Sequence, residues 1–127
     1  MSILVAYVPN ETGERVLETG LQYADRLGLT VHVLNVVNGE APVEETAATP
    51  DHLTHLRTRH EGLPIPIAVE QLMSPDSAEA ILDRATELGA RLVVIGVRRR
   101  SAVGKLLLGS VSQKVILGAE VPVLAVK

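Results

Sequence analysis

Five short aliphatic runs punctuate the chain: ILVAYV at 3–8, LTVHVLNVV at 29–37, IPIAVEQLM at 65–73, RLVVIGV at 91–97 and VPVLAVK at 121–127. Runs of this length bounded by Gly, Pro and Asn read as strands. Strands buried on both faces are continuous in Val, Ile and Leu instead of alternating with polar residues. Between them lie segments of helical period. From Glu11 to Leu27, the residues Val16, Leu17, Leu21, Ala24 and Leu27 fall on one side. Asn10 or Thr12 can cap this helix, and Gly28 can take the left-handed conformation just past its end. SPDS at 74–77 opens a second such segment with Ala78, Ile81, Leu82, Ala85 and Leu88 on one face and Gly89 at its end. Asp76 and Glu79 are the acidic residues a first turn favours. A short polar helix over 51–61 carries Leu53 and Leu56, and a last helix spans about 110–117. GEAPVEETAATP at 39–50 has no period and reads as a surface loop.

Strands that alternate with helices predict an α/β domain, one for all of residues 1–127. The architecture expected is an open five-stranded parallel sheet with strand order 3-2-1-4-5, right-handed crossovers and helices on both faces. In such sheets a ligand binds at the carboxyl ends of the strands, where the strand order reverses. That switch point falls between strands 1 and 4, at the loops 7–10 and 96–100. Composition agrees: 46% of residues are apolar but only 2% aromatic, Tyr7 and Tyr23, so the core must be aliphatic. The net charge of -3 argues against a nucleic-acid partner. There is no cysteine, which excludes disulfides and thiolate chemistry. No run approaches the roughly 18 apolar residues of a membrane span, and MSILVAYVPN lacks a basic leader. The expectation is a cytoplasmic protein with no membrane partner.

At the switch point stands GVRRRSAVGKLLLGS, residues 96–110. Gly109-Ser110 opens a helix, whose unpaired N–H groups and partial positive charge suit a phosphate. Gly96 lets a second segment come close, while Arg98, Arg99, Arg100 and Lys105 supply positive charge. A plain reading accounts for the same residues: Ser110 is a good N-cap, Gly96 a strand end, and the arginines a solvated turn. Local physics leaves both open.

The segment resembles the signature of the universal stress protein family: a glycine, two residues, a glycine, nine residues, then Gly-Ser or Gly-Thr. Gly96, Gly109 and Ser110 match, as does the run LLLGSVSQKV. The likeness extends to ILVAYV, PDSAEAIL, RLVVIG and VPVLAVK. It implies a Rossmann-like adenine-nucleotide-binding fold and a stress-response module holding ATP, with Mg2+, at the strand 1/strand 4 switch point. Carried over by position, Val36 lies against the adenine and Gly96, Gly109, Ser110, Val111 and Ser112 surround the phosphates. Arg98 takes a variable place in the signature. Two positions depart from it. Arg99 stands where the second glycine belongs and either obstructs the phosphates or clamps them. Val8 stands where ATP-binding members commonly carry an aspartate, in a V-D-x-S pattern, so one polar anchor for the nucleoside is missing. The alternative within the family is a dimeric interaction protein without nucleotide, using Arg98–Arg100 as a partner patch.

Other candidates are plainer. His52 and His55 have a spacing that can chelate a metal, but no carboxylate accompanies them and His60 is out of step, so a solvated face is expected and no metal site. His32, between Val31 and Val33, reads as structural, and Tyr7 as a core residue. No nucleophile elbow or Walker pattern is present, and nothing argues for an enzyme. VPVLAVK would be an apolar edge strand, a surface that invites pairing. The family pairs this strand with its two-fold mate, so a homodimer through residues 121–127 is expected.

Overall fold

Each aliphatic run forms a strand and each helical period a helix. The computed structural model describes residues 1–39, 46–97 and 108–127. In chain order the elements are β1 (Ser2–Ala6), α1 (Glu11–Leu27), β2 (Thr30–Val37), α2 (Pro50–Arg59), β3 (Ile67–Met73), α3 (Ser77–Glu87), β4 (Leu92–Gly96), α4 (Ser110–Gly118) and β5 (Val123–Val126). The strands form one sheet of order β3-β2-β1-β4-β5, and every pairing is parallel. Ile3 is flanked by Val31 on one side and Leu92 on the other, which fixes the central register.

The expected boundaries shift where proline intervenes. Pro66 accepts a bond from the Val31 N–H at 3.0 Å and Pro122 one from Val93 at 3.0 Å. Neither can donate, so β3 and β5 begin just after them, at Ile67 and Val123, two residues past the expected starts. Cap chemistry sets the helix ends. Asn10, not Thr12, caps α1, accepting from the Gly13 N–H at 2.8 Å, and Gly28 closes it with φ 68°.

Alternation along each strand divides the core in two. Ile3, Val5, Tyr7, Val31, Val33 and Val94 pack with Val16, Leu17 and Ala24 of α1 and with Leu53 and Leu56 of α2. Leu4, Leu34, Val93 and Ile95 pack on the other face with Ala78, Ile81 and Ala85 of α3 and Val115 of α4. Each fully buried aliphatic side chain contributes roughly 1.5–3 kcal/mol of transfer free energy. β1 and β4 are almost wholly apolar because both faces are covered. α1 lies close to the sheet because small residues allow it. A Cβ on Gly20 would stand 2.5 Å from Val5 Cγ2, and one on Gly96 2.8 Å from Thr12 Cγ2.

Candidate functional site

At the carboxyl ends of β1, β2 and β4 the sheet opens into a cavity of about 640 Å3, within the usual range for small-molecule sites. It occupies the switch point between β1 and β4. Ala6, Tyr7 and Val8 come from β1 and its exit, Leu34 and Val36 from β2, and Ile95 and Gly96 from β4. The starts of α1 (Asn10, Thr12, Gly13) and α4 (Gly109–Ser112), together with Leu108, Thr46, Ser77 and Ile81, complete the wall. None of these described lining residues is charged. Ala6, Val8, Leu34, Val36, Ile81 and Ile95 make part of the wall aliphatic, and hydroxyls and helix N–H groups make part of it polar.

The two helix starts differ chemically. α1 is capped by Asn10 and carries Glu11 and Glu14 in its first turn. A Cβ on Gly13 would overlap the Val8 carbonyl oxygen, so helix and strand exit are in direct backbone contact there. α4 has Gly109 as its N-cap, with no side-chain capping bond and no acidic residue in the first turn. Its first helical bond runs from the Gln113 N–H to the Gly109 carbonyl at 3.0 Å, so the N–H groups of Ser110, Val111 and Ser112 precede the ladder. Gly109 has φ -66°, which any residue adopts, and no described atom lies within 4 Å of the Cβ it lacks. Among the described residues, the missing side chain leaves open space over the helix start. Ser110 is therefore the first helical residue and not the cap the sequence suggested as its plain role. The Ser112 hydroxyl donates to the Gly96 carbonyl at 2.9 Å and ties α4 to the end of β4.

A buried amide frames the rim. Asn35, fully buried in β2, donates to the carbonyls of Tyr7 (2.9 Å) and Thr46 (2.8 Å) and accepts from the Ala48 N–H (2.9 Å). Gln71 of β3 donates to Asn35 Oδ1 at 3.0 Å and to the Ala48 carbonyl at 2.8 Å. Ala48 is only 4% exposed. The end of the segment read as a surface loop is thus bracketed to the sheet, and it brings Thr46 to the cavity. A lone Asn inside an apolar strand was the signal for this, since a buried amide needs partners.

Beneath the rim, the Tyr7 hydroxyl donates to Glu14 Oε1 at 2.5 Å and lies 2.6 Å from His52 Nε2. With that proton committed to Glu14, the Nε2–H of His52 donates to the tyrosine oxygen. Arg59 closes the cluster on Glu14 Oε2 at 2.8 Å. Burial, then the Glu14 carboxylate, pushes the Tyr7 hydroxyl well above its ordinary pKa. Burial acts to raise the Glu14 carboxyl too, but hydrogen bonds from Tyr7 and Arg59 outweigh it and hold the group below its ordinary value. His52 therefore clamps α2 to α1 and β1 in place of the solvated role expected of it. His32 pairs with Glu70 at 3.4 Å, beside Arg84. Among the described residues, no group of three His, Cys, Asp or Glu is placed to hold a metal.

Of the residues singled out in the sequence, Val8, Val36, Gly96, Gly109, Ser110, Val111 and Ser112 meet at this cavity. Arg98 and Arg99, with Arg100 and Lys105, lie outside the described residues. Sequence reasoning did not single out Thr12, Thr46, Ser77 or Ile81 for the site.

Comparison with known proteins gives a consistent result. The sequence model of the universal stress protein family matches residues 1–127. A universal stress protein of Mycolicibacterium smegmatis is 34% identical over 125 residues, 98% of this chain and 96% of the relative. Among solved structures, a universal stress protein from Archaeoglobus fulgidus superposes with a TM-score of 0.79 at 30% identity, covering 99% of this chain and 97% of that one. A structure of the Archaeoglobus fulgidus universal stress protein in complex with dAMP superposes with a TM-score of 0.73 at 26% identity, covering 99% and 96%.

Proposed function

The chain belongs to the universal stress protein family, and from that premise we propose that residues 1–127 act as one domain that holds an adenine nucleotide at the β1/β4 switch point. The observation that carries this reading is the open start of α4 above an aliphatic slot. A helix start without a cap or carboxylate attracts a phosphate, and Gly109 gives it room. The aliphatic side, with Val8 and Val36, offers an apolar surface of the kind a purine ring packs against. The dAMP complex of the Archaeoglobus fulgidus relative supports the same ligand class. ATP is the form whose charge the basic residues between Gly96 and Gly109 suit best.

The protein is a binding module of the cytoplasm, not a catalyst, and its output is association. No described helix is long and apolar enough to cross a membrane. The β5 edge favours a homodimer. Pro122 and Val126 accept from β4, so the alternate backbone groups of Val123 and Ala125 face outward. At the opposite edge Arg57 occupies the Val69 carbonyl at 3.0 Å. An Ala125→Asp variant should elute as a monomer on sizing chromatography, and an unchanged elution volume contradicts pairing through β5.

Calorimetric titration with ATP and AMP tests the nucleotide reading. Saturable binding is expected, and no heat at millimolar nucleotide leaves only the dimeric interaction protein. Arg99→Gly then separates that residue's two roles: tighter binding means obstruction, while a loss of about 1–3 kcal/mol means a phosphate clamp.

A further inference from the structure

Between Leu34 and Val36, in the aliphatic part of β2, stands the fully buried amide of Asn35. An amide in a sheet core is costly unless its donors and its acceptor are paired. The Ala48 N–H can only donate, which fixes Oδ1 as the acceptor and Nδ2 as the donor. The Nδ2 hydrogens go to the carbonyls of Tyr7 and Thr46, and both of these residues line the cavity. One side chain thus joins the exit of β1 to residues 46–48. Gln71 adds its bonds on the 46–48 side, to Asn35 Oδ1 and the Ala48 carbonyl. The start of α4 is tied to β4, and Thr46 to β2, the strands that flank β1 on either side.

Resting on the adenine-nucleotide reading above, we propose that Asn35 is a positioning residue of that site, which holds Thr46 against the nucleoside part of the ligand. An aliphatic side chain of similar volume can fill the same space in the core. It cannot hold both carbonyls. The polar residue in β2 then has a reason that packing does not give: it sets where residues 46–48 meet the cavity.

The test is titration of the whole chain with AMP, with thermal melting of each nucleotide-free variant recorded alongside. Asn35→Leu and Thr46→Ala should each weaken AMP binding about fivefold, the scale of one lost hydrogen bond. Asn35→Leu added to Thr46→Ala should weaken it by less than about twofold more, because both remove the same contact. Gln71 is an exposed residue on an edge strand. If Asn35→Leu does not melt cooperatively, Gln71→Leu takes its place in the comparison, with a loss of about threefold expected. Undiminished affinity in Thr46→Ala, or in the Leu variant, overturns the proposal. So does full additivity between the two, which means that the amide serves the fold and does not act through Thr46. Absence of AMP binding by the unaltered chain overturns the nucleotide reading itself, and this proposal with it.

Discussion

Two helices start at the same end of the sheet, and they start differently. α1 begins as a closed structural joint: Asn10 caps it, Glu11 and Glu14 complement its dipole, and Gly13 presses on the Val8 carbonyl. α4 begins open among the described residues: none of their side chains caps it, no carboxylate stands in its first turn, and none of their atoms lies within 4 Å of the Cβ that Gly109 lacks. Both starts carry the same orphan N–H groups and partial charge. The difference lies in what the sequence has already placed against them. One helix start has its ligand built in, and the other leaves room for one. Glycine marks both, for opposite reasons.

The largest effect that can break this comparison is on stability. Gly13→Ala forces a Cβ into the Val8 carbonyl and should cost about 3 kcal/mol in urea denaturation. Gly109→Ala should cost less than about 1 kcal/mol, because its space is free. Similar losses at both positions would erase the distinction. Next in size is Gly109→Asp, which gives α4 a capping side chain, as Asn10 gives α1, and adds a negative charge. It should leave the fold intact and weaken nucleotide binding tenfold or more, about 1.4 kcal/mol, in calorimetry. Undiminished affinity would move the phosphate away from α4.

Asn10→Ala sharpens the other side. Loss of the Gly13 bond should lower stability by about 1 kcal/mol, read as a reduced melting temperature of the nucleotide-free protein. The smallest effect is on acid stability. The folded Glu14 carboxyl sits below its ordinary value near 4.5. Its contribution is therefore present above that pH and fades as pH falls through the folded value. Glu14→Gln should flatten the fall of stability below about pH 4.5. The change is modest because the Glu14 side chain is 40% exposed. An unaltered slope would mean that the Tyr7–Glu14–Arg59 cluster adds nothing to the α1 joint.

Most of the fold was legible in the sequence because it rests on local signals. Aliphatic runs, helical periods and the caps at Asn10 and Gly28 each act within a few residues, and alternation of strand with helix restricts the topology. The cavity was legible through Gly96, Gly109 and Ser110, which lie close together in the chain and match a known spacing. Position did not reveal purpose, however. Gly96 is needed for packing against Thr12 and Val16 of α1, while Gly109 has no packing reason among the described residues. The Asn35–Gln71–Ala48 bracket and the Tyr7–Glu14–His52 cluster were not legible. They join residues that lie 7 to 45 positions apart, and only the folded sheet makes them neighbours. Buried polar partners depend on tertiary geometry, which periodicity does not encode.

The central claim is that the open start of α4 receives the phosphate. Backbone amide NMR during titration with AMP tests it most directly. The account predicts that the amide resonances of Ser110 and Val111 move most and saturate, well beyond those of Thr12 and Gly13 at the start of α1. Larger shifts at Thr12 and Gly13, or saturable binding that leaves Ser110 and Val111 in place, would contradict it.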